Sequence, residues 1–138
     1  DTKHPLCAII LVMPIRMGKE DLEQQVVFEW AEWNISRFPC LKFMFAVPSG
    51  GYRPIPTAVR LKKTGAKRGV LDFMLPYPVT KQNGTHYCGL WCEMKIHPNK
   101  PSPEQLEYIK FLNENSYLAV VCYSAEEAIQ MIESYLGS

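Results

Sequence analysis

The sequence predicts an α/β domain with a mixed sheet flanked by helices, on three observations. Apolar residues switch between helical and strand spacing in the order α, β, α, β, β, α, β, α. Asn83-Gly84, a pair that favours tight turns, joins two apolar runs as the tip of a hairpin would. With 138 residues and 47% hydrophobic content, the chain is long enough to bury one core without disulfides.

Each element follows from its own pattern. From Lys19 to about Ser36, apolar residues at Leu22, Val26, Val27, Trp30, Ala31 and Trp33 recur at amphipathic-helix spacing. A short strand is expected near residues 42–47, ended by Pro48 and the turn residues Ser49, Gly50 and Gly51. "TAVRLKKTG" has helix formers and closes on Gly65, a natural C-terminal cap. "GVLDFMLPYP" reads as a strand between Gly69 and Pro76, and "HYCGLWCEMKI" as its hairpin partner. Ser102 and Pro103 supply the cap and first residue of the helix "EQLEYIKFLNEN". "YLAVVCY" is a continuous apolar strand, and Ser124 with Glu127 forms a capping box for "AEEAIQMIESYL".

Residues 17–138 are expected to form the single domain. Residues 1–16 read as an N-terminal extension, either an appended segment or a genuine extra strand. Its apolar run, "HPLCAIILVMP", is too short to span a membrane and lacks the small-residue context of a secretory signal. Five scattered cysteines, an odd number, argue against a disulfide framework and for a reducing, cytoplasmic setting. Cys88 and Cys92 have no second pair at ligand spacing, so they read as small apolar filler rather than a zinc site. The 15 basic and 14 acidic residues cancel to +1, so local clustering rather than net charge must identify a partner.

The stretch "CEMKIHP" carries the candidate chemistry. Alternation along the strand puts Trp91, Glu93, Lys95 and His97 on one face, opposite Leu90, Cys92, Met94 and Ile96, the expected core face. Taken alone, such a pair of charges usually lies on a solvated face. Asp72, however, interrupts the other hairpin arm, so two carboxylates can meet across adjacent strands. Mg²⁺ or Mn²⁺ is held by one or two carboxylates plus waters and phosphate oxygens, and a neighbouring lysine can position a water or neutralise phosphate charge. Arg53, Arg60, Lys62, Lys63, Lys67 and Arg68 precede Asp72 closely in sequence and suit a polyanion. Glu20 and Gln24, one turn apart on the first helix, or Glu23 beside them, could reach the site. Gln105, in the first turn of the helix after the Glu93 strand, is placed to touch the site or a phosphate. His97 ends the strand on the same face.

Together these segments resemble the PD-(D/E)XK nucleases, and more closely the virus-type replication-repair nuclease (VRR-NUC) domain. The resemblance runs from about residue 19 to 136 through "EDLEQQVVFEW", "PSGGYR", "RLKKTGAKRGVLDFMLP", "GLWCEMK" and the helix–strand–helix tail. It implies a PD-(D/E)XK-like mixed sheet and a Mg²⁺- or Mn²⁺-dependent DNA endonuclease. Asp72, Glu93 and the Met94 carbonyl would be the metal ligands and Lys95 the catalytic lysine, with Glu20, Gln24 and Gln105 supporting the site. It also implies a homodimer acting on branched DNA, such as Holliday junctions, in a prokaryotic or phage-infected cell. Leu71 stands where the family has proline before the aspartate, and Ser49 where its turn has asparagine. The residues themselves leave open an inactive DNA-binding module, and flapped, linear or RNA substrates.

Overall fold

A computed structural model describes residues 17–48 and 55–137. The expected extension at 1–16, the turn residues Ser49 to Gly51, and Arg53 lie outside the described residues. The helices are α1 (Lys19–Trp33), α2 (Ile55–Lys63), α3 (Pro103–Glu114) and α4 (Ala125–Tyr135). The strands are β1 (Phe45–Ala46), β2 (Phe73–Leu75), β3 (Val79–Thr80), β4 (His86–Tyr87), β5 (Leu90–Met94) and β6 (Leu118–Cys122).

Four strands form the main sheet in the order β1-β2-β5-β6. β2 pairs antiparallel with both β1 and β5, whereas β5 and β6 run parallel with Glu93 opposite Val121. The sheet is therefore mixed, as expected. β3 and β4 form a separate two-stranded ribbon, a small feature that the alternation of apolar residues does not announce. Asn83 and Gly84 lie in its connection, where Gly84 has φ +91° and the Asn83 side chain accepts from the Thr85 amide.

Helices cover both faces. Phe73, Leu75, Leu90, Cys92 and Met94 pack in one core with Val27 and Ala31 of α1 and Ala128, Ile132 and Tyr135 of α4. On the opposite face Leu71, Leu112 and Ala119 form a second cluster with Trp91, Tyr108, Ile109 and Tyr117, under α3. A parallel β5–α3–β6 crossover requires a covering helix, and it places that helix over the Glu93 face. Glu93 is consequently 2% exposed, and the solvated face expected of an isolated charge pair is not what forms.

Several boundaries differ from the sequence reading. The strand expected near 42–47 is shortened at its start by a 3-10 turn, Pro39–Phe43, begun by Pro39, and only Phe45 and Ala46 are strand. The α1 stripe is narrower than its apolar residues suggest: Val27 and Ala31 are buried, whereas Leu22, Val26 and Trp33 are exposed. The β2 arm starts at Phe73 rather than Gly69, because the pleat is broken. Leu71 joins the α3-side cluster while Phe73 and Leu75, of the same parity, face the other core. At α4, Ser124 accepts from the Glu127 amide, whereas the complete capping box is at α3, between Ser102 and Gln105. The described cysteines, Cys40, Cys88, Cys92 and Cys122, are free thiols. No described helix is long and apolar enough to cross a membrane.

Two glycines in the loop before Asp72 have left-handed backbones, with φ +108° at Gly65 and +85° at Gly69. A Cβ on Gly65 would meet nothing within 4 Å, but one on Gly69 would lie 2.5 Å from the Glu104 carbonyl carbon. Main chain thus packs directly on main chain where the loop crosses the start of α3. Gly65→Ala should lower stability only by its backbone strain, about 1 kcal/mol. Gly69→Ala must also push α3 away, and should cost at least about 2–3 kcal/mol in urea unfolding. Equal losses for the two variants would disprove the close approach.

Candidate active site

The β2–β5 pairing brings the motif residues together. Extending its register by one residue places Asp72 beside Glu93. Hydrogen bonds fix Asp72 on both sides: its amide donates to the Cys92 carbonyl (3.0 Å), and its carbonyl accepts from the Val47 amide (2.8 Å). Its Oδ2 accepts from the Met94 amide at 2.7 Å, which ties the carboxylate to β5 itself. The altered strand entry at Leu71 therefore leaves Asp72 held by three main-chain contacts.

Glu93 is surrounded by one-sided support. Gln105 Nε2 donates to Oε2 at 2.9 Å, and the Lys95 ammonium lies 3.3 Å from the same oxygen. Oε1 is buried with no hydrogen-bond partner. A buried carboxylate oxygen without a hydrogen-bond partner is costly, which makes this atom a candidate cation ligand. Burial, then the charge of Asp72, pushes the Glu93 pKa up to about 8, with the Lys95 ammonium pulling it only partly back. Lys95 itself is largely covered, at 13% side-chain exposure.

Gln105 reaches Glu93 because of how α3 begins. Its Oε1 accepts from the Ser102 amide at 2.8 Å, while its own amide donates to Ser102 Oγ at 3.2 Å. One side-chain amide thus caps the helix with its oxygen and holds the carboxylate with its nitrogen.

Other candidates are less closely joined. On α1, Glu23 Oε1 accepts from the Ala125 amide at 3.4 Å, which commits it to the start of α4. Glu20 and Gln24 are half-buried, and neither bonds to Glu93 or Lys95. Arg60, Lys62 and Lys63 sit on α2, which buries no residue. Lys67 and Arg68 instead line a cleft beside α3. His97 stacks on Tyr123, with ring centroids 4.1 Å apart and planes within 10°. Tyr123 follows β6 directly, and its pairing with His97 could not be read before the parallel register was known.

The donor set suits a hard divalent cation. Asp72 and Glu93 offer carboxylate oxygens, one of them without a partner, and the Met94 carbonyl follows immediately in the chain. No group of three or more His, Cys, Asp or Glu side chains arranged for a metal occurs among the described residues. Two carboxylates leave most of a Mg²⁺ coordination sphere to water and phosphate, the usual arrangement at phosphoryl sites.

Comparison with known proteins gives this arrangement a structural relative. A solved structure described as a VRR_NUC domain protein superimposes with a TM-score of 0.69 at 25% identity, covering 88% of this chain and 91% of that one. The chain shares the fold of that VRR_NUC domain protein. No family model matches the sequence, and no curated protein matches it either. The VRR-NUC fold is nuclease-type, and the expected PD-(D/E)XK-like mixed sheet flanked by helices is present.

The raised Glu93 pKa has a testable consequence for this chain. The unfolded chain releases that proton near 4.5 and the folded chain near 8, so the native state holds the extra proton between those values. Stability in a chelating buffer should therefore fall as pH rises through that window. Glu93→Gln should flatten this slope, and Mn²⁺ should raise the melting temperature of the wild type more at high than at low pH. A wild-type melting temperature that ignores Mn²⁺ at every pH would contradict the cation site.

Proposed function

We propose that the chain is a Mg²⁺- or Mn²⁺-dependent endonuclease that hydrolyses phosphodiester bonds in DNA. The observation that carries this reading is the buried, unpartnered Glu93 Oε1 beside Asp72, with the Lys95 ammonium 3.3 Å from the other oxygen. A catalytic role for Lys95 needs a charge that is fixed but still accessible to a phosphate, and its partial burial meets both conditions.

Asp72 and Glu93 would hold the cation, with the Met94 carbonyl as a further ligand. When bound, the cation polarises the scissile phosphate and makes an attacking water easier to deprotonate. Lys95 stabilises the negative charge that grows on the phosphate oxygens and orients the incoming water. Gln105 is a positioning residue that keeps Glu93 from turning toward Lys95 alone. Glu20 and Gln24, at the start of α1, are the residues available to orient water or substrate from the opposite side. Arg53, Arg60, Lys62, Lys63, Lys67 and Arg68 supply contacts to the sugar-phosphate chain, which makes binding steeply salt dependent.

Branched DNA, such as a Holliday junction, is the proposed substrate. A homodimer would present two such sites to two strands. The cytoplasm, with its reduced thiols, is the proposed setting.

Asp72→Ala and Lys95→Ala should each reduce cleavage at least about a hundredfold while leaving the circular dichroism spectrum unchanged. Calorimetric titration should show Mn²⁺ heat in the wild type and little in Asp72→Ala. If both variants still cut DNA, the assignment fails. Folded wild-type protein that binds DNA without cutting it in either metal would identify a binding module instead. A panel of junction, flapped, nicked and linear DNAs, run beside a sedimentation measurement, checks the substrate and the dimer.

A further inference from the structure

A cleft of about 410 Å³ opens between the loop preceding Asp72 and one flank of α3. Its walls are Lys67 and Arg68 from the loop, and Glu104, Glu107, Tyr108 and Phe111 from the helix. The helical residues fall at the spacing of one continuous stripe. The volume lies within the range of about 300–1,000 Å³ typical of small-ligand clefts.

Phe111 forms the floor of the cleft and is 61% exposed, one of several exposed aromatic rings among the described residues, so its face is open to contact. Tyr108 packs against the cluster around Leu71 and Leu112, so one edge is anchored while the other lines the cleft. The charges limit what can enter. Two cations on one wall face two carboxylates on the other, a balance that suits neither a run of phosphates nor a basic peptide. It does suit a neutral heteroaromatic ring attached to a single phosphate. The phosphate would lie on Lys67 and Arg68 and the ring on Phe111, while exocyclic amino groups donate to a glutamate.

The cleft is also coupled to the site. Gly69, next to Arg68, packs on the Glu104 main chain, and the following residue, Gln105, holds Glu93. The loop then reaches Asp72 within three residues. A nucleotide in the cleft is therefore on the same side of the sheet as the carboxylates and close to them along both chain segments.

We propose that this cleft receives one unpaired nucleobase of the strand being cut, an inference that rests on the nuclease reading above. Bases inside a duplex are stacked and paired and enter only by flipping out, at a cost of about a few kcal/mol that an unpaired base does not carry. The enzyme would therefore select DNA that already carries an unpaired nucleotide at a junction, flap or gap.

The test compares the full chain's affinity for a fully paired duplex and for the same duplex with one unpaired nucleotide, with Ca²⁺ replacing the catalytic cation. Wild type should prefer the second by about tenfold, the scale of one base stacked on an aromatic ring. Phe111→Ala should remove that preference and leave duplex affinity within about twofold. Phe111→Trp should retain it. Lys67→Gln with Arg68→Gln should weaken binding to both DNAs and reduce the salt dependence. A preference that survives Phe111→Ala, or a wild type that cuts DNA without any preference, overturns the cleft while leaving the nuclease reading intact. A folded wild type that neither binds nor cuts any DNA overturns both.

Discussion

The arrangement depends on a single side-chain amide. Gln105 has an oxygen that accepts from the amide of Ser102, the residue that caps α3, and a nitrogen that donates to a buried carboxylate on β5. Neither bond is unusual alone, but they share one planar group, so the helix cannot begin elsewhere without releasing Glu93. Hydrogen bonds to charged groups are worth about 1.5–3 kcal/mol, more than a neutral pair. The start of a helix and the orientation of a carboxylate are thus specified together.

That coupling matters because the sheet makes Glu93 difficult to bury. Helices cover both faces, so a carboxylate on the central strand has no solvated side. Its environment pulls in two directions: burial and Asp72 favour the neutral acid, Lys95 favours the anion. Lys95 and Gln105 both meet the same oxygen and leave the other unpaired. A fold optimised for stability alone would replace such a group with leucine or methionine. Tension of this kind is expected where a charge is retained for binding or chemistry.

Much of this was legible in the sequence because the signals were local. The Asn83-Gly84 turn, the Ser102-Pro103 start of α3 and the alternation around Glu93 each follow from neighbouring residues, and together they gave the element order and the hairpin. What escaped depended on distant partners. The broken pleat at Leu71 exists because that residue is drawn into the cluster under α3, which no pattern within residues 69–76 can reveal. The capping role of Gln105 lies in the second half of a Ser102-x-x-Gln105 box, whereas Ser102 and Pro103 alone already announce the helix start. Tyr123 carries no motif, and its stack with His97 becomes visible only when β6 is set parallel to β5. The exposed side of α1 was misjudged because apolar spacing indicates a possible buried face without showing its width.

The parallel pairing of β5 and β6 has a consequence for biosynthesis. A hairpin can close as soon as its second arm leaves the ribosome, so Asp72 and Glu93 can meet while the chain is still short. Gln105 can hold Glu93 only after α3 has formed and crossed back over the sheet, and β6 must follow to seat that helix. The carboxylate pair and Lys95 are thus products of the local hairpin, whereas the amide that holds Glu93 comes from the far side of the crossover.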